Sequence, residues 1–487
     1  MSVRQSAIKG AGYASIAAFA GRGSSFISQI ILGWILAEDD FAMFAIAVGV
    51  MGFTNAMSHG GADIYMLQAS NRIERVLPAG MKLATIFDVG IPIVIAAVAW
   101  PISNAYQLDG QSNHDIAYLL WIIAASMPLR LFGLPYRMRA AAEARFGEVS
   151  FASFVQNFIQ QVLIVTFALC GFGVFAFVLG QPIVNLVDWF ILRKRIGQAP
   201  KTAEEYISFQ SILKPAGLIL VSALGISLMV GSTENLILGD LAPAILAYYF
   251  FAFRMTTAIA HVFSSSVRTI LVPSFAKIKS DPERMQAAGI NACRTSLFVA
   301  VPLFFFLAFM IGPIMHFIWQ GKWDNAAIIA FALLLGQPFR LVSFINRSFL
   351  EANGQWTATA ILVWVDGILF GLILIAVATR TQELTILTYT IAAYRAVAGL
   401  FLSLVSLRIG GIHVRRLLPL LAVPIIATLA MASAWYFSSG ALAENISIPN
   451  AMSSLGIFTA SYLVLSACFL RPQLKQTLSA INVRRKR

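Results

Sequence analysis

Fourteen stretches of mostly apolar residues, each near twenty residues long, follow one another along this chain. A helix that crosses the ~30 Å hydrocarbon core of a bilayer needs about 20 such residues. The stretches fall at 12–36, 41–68, 83–104, 115–137, 149–170, 173–193 and 215–238, then at 243–266, 292–318, 324–347, 356–379, 384–407, 416–438 and 449–470. Of the 487 residues, 59% are apolar and 12% charged, with a mean hydropathy of +0.78. Soluble domains carry about 25% charge, so this chain lacks the polar surface that water demands. The three cysteines, Cys170, Cys293 and Cys468, lie far apart inside apolar runs, and neither a disulfide framework nor a metal site is expected. The first stretch is too long for a cleaved signal peptide, and Arg22 interrupts it.

The basic residues supply an independent test of this span count, because cytoplasmic loops are enriched in Lys and Arg. With the N-terminus inside and alternate loops assigned in turn, 28 of the 35 basic residues are cytoplasmic. Only Lys322 and Arg380 fall outside, and five lie within spans. An even number of spans with both termini cytoplasmic follows. The net charge of +13 is therefore topology rather than a sign of nucleic acid, and no nucleic-acid partner is expected. The basic tail, 471–487, is expected to lie against the anionic lipids of the inner leaflet.

The chain also repeats itself. Pro128-Leu-Arg130-Leu131 in the fourth span matches Pro338-Phe-Arg340-Leu341 in the tenth, each with a second arginine seven residues later (Arg137, Arg347). Ile31-Leu32-Gly33 in the first span matches Ile237-Leu238-Gly239 in the seventh, at the same offset of six spans. An even offset gives two halves of like orientation, related by an axis along the membrane normal. The expected organisation is an N-terminal lobe at 1–195, a cytoplasmic connector at 196–214 and a second lobe at 215–410. Two further helices within 411–470 and the basic tail complete it. Two facing six-helix lobes suit a secondary transporter, and a scaffold subunit is the alternative.

Ten charges fall inside spans: Arg22, Arg130, Arg254, Arg340 and Arg395 with Asp63, Asp88, Asp188, Glu234 and Asp366. Each costs about 2.5–3.5 kcal/mol at the bilayer centre on insertion scales, so each must face protein or water. Arg22, Arg254, Asp366 and Arg395 lie deep, Asp88 and Asp188 near the inner surface, and Glu234 near the outer one. Arg22 and Arg254 are expected as central anion ligands of an electropositive cavity, because guanidinium pairs with phosphate in a bidentate fork. For Arg130 and Arg340 a structural role at a proline-bent helix competes with cavity binding. Asp366 with Arg395 or Arg340 is a candidate ion pair. Glu234 and Asp366 are equally candidates for a coupling H⁺ or Na⁺. No phosphate-binding lysine motif, metal spacing or nucleophile constellation appears, and no enzymatic activity or cofactor is expected.

From this point the motifs resemble those of the multidrug/oligosaccharidyl-lipid/polysaccharide (MOP) flippase superfamily, and within it the Wzx-like polysaccharide transporters. The resemblance rests on Arg22-Gly-Ser-Ser-Phe-Ile-Ser-Gln29 with Ile31-Leu32-Gly33, Asp40-Phe-Ala-Met-Phe44, and Pro128 to Arg137 leading to Arg145-Phe146-Gly147. It continues through Asn235 to Gly239, Ala247-Tyr248-Tyr249, and Ile270 to Lys279 with Asp281 and Arg284. It implies an all-α, V-shaped, MATE/MOP-like bundle in the bacterial inner membrane. It further implies export of an undecaprenyl-pyrophosphate-linked oligosaccharide for exopolysaccharide or O-antigen, alongside polysaccharide polymerase and export machinery. Arg22 and Arg254 match first- and eighth-span arginines that line a cationic cavity in the related lipid II flippases. The second span has no arginine in its core, a departure from those flippases that favours the polysaccharide branch or a weaker pyrophosphate site. A cation-coupled drug exporter of the same superfamily is the alternative transporter.

Overall fold

The computed structural model describes residue 21, residues 23–412 apart from 109–110, 113, 199–205, 230, 279–280 and 354, and Ile426, Ala430, Ser453, 456–462 and Val464. Helix α1 (Gly23–Ile35) and α2 (Glu38–Met57) lead through a 3₁₀ turn at Ser58–Gly61 into α3 (Ala62–Gln68). A long α4 (Ile73–Ala105) is joined to α5 (Asp115–Ser126) by a small antiparallel hairpin, β1 (Gln107–Leu108) and β2 (Gln111–Ser112), with Gln107 opposite Ser112. A 3₁₀ turn at Pro128–Phe132 precedes α6 (Leu134–Ala142), followed by α7 (Phe146–Leu169), α8 (Ala176–Leu179) and α9 (Gln181–Ile196). Then come α10 (Phe209–Met229), α11 (Ser232–Leu241), α12 (Pro243–Lys277), α13 (Pro282–Trp319), α14 (Asp324–Ala352), α15 (Trp356–Ala378) and α16 (Leu384–Ile409).

Helices dominate because lipid offers no hydrogen bonds, so each peptide group must find its partner within its own segment. Eleven described segments are long and apolar enough to cross a membrane, and each falls on one of the expected spans. Helix α1 falls on the first of them, while 416–438 and 449–470 lie outside the described residues except at isolated positions. The protein is an all-α polytopic membrane protein. Midspan apolar side chains such as Ile93, Val94, Leu372 and Phe401 are exposed, as a lipid-facing surface requires.

Contact density divides the chain into two compact units. The first is Met1–Phe250 with Val363–Thr379, and the second is Phe251–Leu362 with Arg380–Arg487. In the first, α2 lies along α10 and α11 because glycines clear the way. A Cβ added at Gly49 would come 2.8 Å from Leu236 Cγ, and one at Gly52 would collide with the Ser232 hydroxyl. Small residues at such crossings let membrane helices approach closely and gain dispersion contacts. An apolar cluster of Ala62, Met66, Val76, Leu83, Leu134, Met138, Ile212 and Ala216 fills the space between α3, α4, α6 and α10. The Arg137 guanidinium on α6 reaches Asp188 on α9 at 2.6 Å and also donates to Ser153 Oγ on α7 at 3.3 Å. One cation thus ties three helices around a buried carboxylate.

In the second unit α14 packs along both α13 and α16. At the α14–α16 crossing, a Cβ on Gly399 would lie 2.7 Å from the carbonyl carbon and oxygen of Phe339. Phe251 and Trp323 stack with ring centroids 3.9 Å apart. Phe458 and Tyr462, from the last expected span, pack on Phe305, Phe309 and Phe298 of α13.

The two copies of the Pro-x-Arg-Leu motif adopt different structures. The first is the 3₁₀ turn that separates α5 from α6, whereas the second lies inside the continuous α14. Five and seven residues after its proline the first copy has Gly133 and Pro135, and the second has Ser343 and Ile345. The extra Gly and Pro restart the helix in the first copy, and nothing stops it in the second.

Two measurements check this packing. Gly399→Ala is expected to destabilise the detergent-solubilised protein by about 1–3 kcal/mol in thermal unfolding, because backbone rather than a movable side chain blocks the methyl. Gly90→Ala, where an added Cβ meets nothing within 4 Å, serves as the control and should be neutral or slightly stabilising. A double-mutant cycle on Arg137→Ala and Asp188→Asn should give a coupling above about 1 kcal/mol, beyond the usual worth of an exposed ion pair.

Candidate functional site

The intramembrane charges are sorted between the two units. All five acids, Asp63, Asp88, Asp188, Glu234 and Asp366, belong to the first, as does Arg130. Arg254, Arg340 and Arg395 belong to the second. Within the second unit's helices α13, α14 and α16, and throughout α12, the only acids are Glu283, Asp324 and Glu351, all at helix ends. Between their ends, α12, α13, α14 and α16 therefore carry Arg254, Arg340 and Arg395 with no carboxylate among their residues.

Three different helices present these arginines. Arg395 on α16 is buried, and its guanidinium carbon stands 5.1 Å from the centroid of the Phe253 ring on α12. Stacking on an aromatic face stabilises a desolvated cation. Phe253 immediately precedes the half-buried Arg254, so the structure brings the neighbourhoods of Arg254 and Arg395 together. Gly336 on α14 permits the close approach, because a Cβ there would already be 3.0 Å from the Ala392 carbonyl oxygen. Arg340 is half-buried at the α14–α16 crossing, where a Cβ on Gly399 would come 2.9 Å from its backbone nitrogen.

In the first unit Arg130 donates to Asn55 Oδ1 on α2 at 2.8 Å. Arg22 lies outside the described residues. On the helix that follows it, Ser28 and Gln29 of the same motif are buried, and their side-chain polar atoms have no hydrogen-bond partner among the described residues.

Glu234 sits fully buried in the first turn of α11, just after Gly231 takes a left-handed φ of +81°. The exposed N–H groups of a helix start favour negative charge there. Around it Ser227 and Ser232 share a 3.2 Å hydroxyl contact, and Thr233 donates to the Leu228 carbonyl at 2.7 Å. Neighbouring Asn235 is buried, and neither side-chain amide atom has a hydrogen-bond partner among the described residues. Helix α15 packs on this break. A Cβ on Gly367 would be 2.7 Å from Leu228 Cβ, and one on Gly371 would be 3.3 Å from Thr233 Cγ2. The buried Asp366 precedes Gly367, so the two sequence-predicted acids are carried by directly packed segments. Among the described residues no group of three or more His, Cys, Asp or Glu side chains is arranged to hold a metal ion.

At the C-terminal ends of α6 and α9 and the start of α7, Arg139, Arg145 and Arg195 engage Glu143, Glu148 and the carbonyls of Arg195 and Gln198. The hydrogen bond from Arg139 holds the Glu143 carboxyl below the usual range, and Arg145 adds to this against desolvation. These arginines are occupied with the fold rather than with a ligand.

One pair of residues was not singled out as a site by sequence reasoning: His59 and Asp88, which meet at 2.5 Å in the break between α2 and α3. The available signal was His-Gly-Gly inside an otherwise apolar run, a sequence poorly suited to a continuous helix.

The chain matches the family described as "Polysaccharide biosynthesis protein" over residues 31–328. The succinoglycan biosynthesis transport protein ExoT of Rhizobium meliloti (strain 1021) is 22% identical to it over 355 residues, covering 70% of this chain and 68% of that protein. Among solved structures, the lipid II flippase MurJ in an inward closed conformation superposes with a TM-score of 0.70 at 16% identity, covering 95% of this chain and 99% of the other. An inward-facing multidrug resistance MATE family transporter of the MOP superfamily gives 0.64 at 11% identity, covering 82% and 98%. With the family model matched over more than half its length, the chain belongs to the polysaccharide biosynthesis protein family, and it shares the fold of the lipid II flippase MurJ and of a MATE family transporter of the MOP superfamily.

Proposed function

We propose that this protein flips an undecaprenyl-pyrophosphate-linked oligosaccharide from the inner to the outer leaflet of the bacterial inner membrane, for exopolysaccharide or O-antigen export. The observation that carries this reading is the excess of arginine over carboxylate inside the second unit, with Arg395 seated on the ring beside Arg254. A cation placed in a membrane interior is expensive, and a diphosphate that accepts bidentate hydrogen bonds offsets that cost. The family, and a relative named for succinoglycan transport, support a glycan cargo.

In this mechanism the sugar-pyrophosphate head enters an electropositive cavity while the polyprenyl tail stays in lipid. Arg22 and Arg254 take the place of water around the pyrophosphate, and Arg395, Arg130 and Arg340 add to the positive field. Rocking of the lobes then opens the cavity outward. Both termini stay in the cytoplasm, and the product passes to polysaccharide polymerase and export machinery.

A coupling H⁺ or Na⁺ at Glu234 and Asp366 drives the return step. The buried amide of Asn235 and the helix break beside Glu234 supply oxygen ligands of the kind a hard cation takes. A cation-coupled drug exporter would need its acids at the cargo site, which the second unit's basic interior does not provide. A non-transporting scaffold would tolerate reversal of the cavity charges.

Purified protein in liposomes is expected to flip a fluorescent polyprenyl-pyrophosphate oligosaccharide. Combining Arg22→Ala with Arg254→Ala should slow flipping about 10-fold or more, the worth of one charged hydrogen bond or better. Undiminished flipping by that variant would sink the site assignment. Glu234→Gln and Asp366→Asn should each abolish the acceleration produced by an imposed Na⁺ or H⁺ gradient while leaving gradient-free equilibration in place.

A further inference from the structure

The second span is broken in a way that costs the backbone. His59, Gly60 and Gly61 all take left-handed φ values, +58°, +59° and +77°, between the end of α2 and the start of α3. Few residues with a Cβ adopt that conformation, although histidine does so more readily than most. Neither glycine can be replaced, because a Cβ would fall 2.5 Å from Phe87 Cδ2 at Gly60 and 2.5 Å from the Ala216 carbonyl oxygen at Gly61.

One carboxylate holds the break. Asp88 Oδ1 accepts the His59 backbone N–H at 2.9 Å and the Ser58 hydroxyl at 3.1 Å, and Oδ2 lies 2.5 Å from His59 Nδ1. Asp88 is fully buried, and the His59 side chain is 15% exposed. The sequence had placed Asp88 near the inner surface because hydropathy starts the third span at residue 83. Helix α4 starts at Ile73 and ends at Ala105, which puts Asp88 at its middle.

We infer that His59 and Asp88 form a proton-binding site whose occupancy sets the shape of the break in the second span. Nδ1 and Oδ2 have no aligned hydrogen-bond partner among the described residues, and at their separation two electronegative atoms repel unless a proton lies between them. With one proton on the imidazole the pair carries a net charge of minus one. A second proton, on the outer ring nitrogen, makes it neutral. An uncompensated buried charge is costly, so the two states differ in charge and in their hold on the backbone.

The groups around the pair are few. From the Pro128–Phe132 turn, Arg130 acts electrostatically on Asp88 and is itself tied to Asn55, three residues before Ser58. Helix α3 adds Asp63, and α2 has no charged residue from 41 to 57. Helix α10 presents Ala216, Ile219 and Leu220, and its single charged residue, Lys214, is exposed. The other charged residues of α4, Glu74, Arg75 and Lys82, are exposed near its start. Arg130 is thus a cation placed to sense the pair, and it links the proton to the neighbouring α5–α6 segment.

The test uses full-length protein labelled with ¹⁵N-histidine in lipid nanodiscs. His59→Asn, in which asparagine tolerates the left-handed backbone, identifies the His59 signals. The ring ¹⁵N shifts of His59 are expected to differ between acidic and alkaline buffer, and that response is expected to change in Asp88→Asn. If Asp88→Asn does not fold, Asp88→Glu is read in its place. A His59 imidazole that keeps one protonation state throughout, or titrates identically in the carboxylate variant, overturns the inference.

Only the consequence for transport rests on the flippase reading: His59→Asn should flatten the pH dependence of flipping. Wild-type protein that fails to flip would overturn that reading and leave the imidazole titration untouched.

Discussion

A charge or an open peptide group inside a membrane has only the protein itself to answer it, and the architecture follows from that shortage of solvent. Where the spans run unbroken, the helix satisfies its own backbone. Where they break, an acid is waiting. The break at Ser58–Gly61 is held by the buried carboxylate of Asp88, and the restart of α11 after Gly231 places Glu234 in its first turn. Both breaks use left-handed glycine, and both lie in the first unit. The same economy explains Arg137, whose single guanidinium answers Asp188 and binds three helices together.

Charge is divided rather than scattered. The first unit gathers the five acids singled out from the sequence, and among the described residues helices α12, α13, α14 and α16 hold arginine between their ends without carboxylate. These are opposite chemistries, and separate helices let each keep its own electrostatic environment.

Most of the fold was legible in the residues. Eleven of the fourteen apolar stretches return as membrane-length helices, since hydropathy over twenty residues is a long signal that local detail does not erase. The glycine and proline that follow Pro128 but not Pro338 explain why one motif in two copies makes two structures, yet similarity alone did not reveal the difference. Of the candidate site, the arginines were visible as charges out of place. Their roles were not, because pairing depends on which helices touch. Arg130 finds Asn55, 75 positions away, and Arg395 finds Phe253, and no spacing rule encodes either meeting.

By itself, the sequence determined that this chain lives in a membrane, which end of each helix carries the basic residues, and which ten charges need an explanation, because burial in lipid is set by composition along a single segment. Tertiary structure alone decided how those charges are shared out between the two units. It also decided that a histidine overlooked in a glycine-rich break meets Asp88 at the centre of a neighbouring helix. Contacts between residues 29 apart in the chain are set by how whole helices pack, and packing depends on the shapes of all their side chains at once.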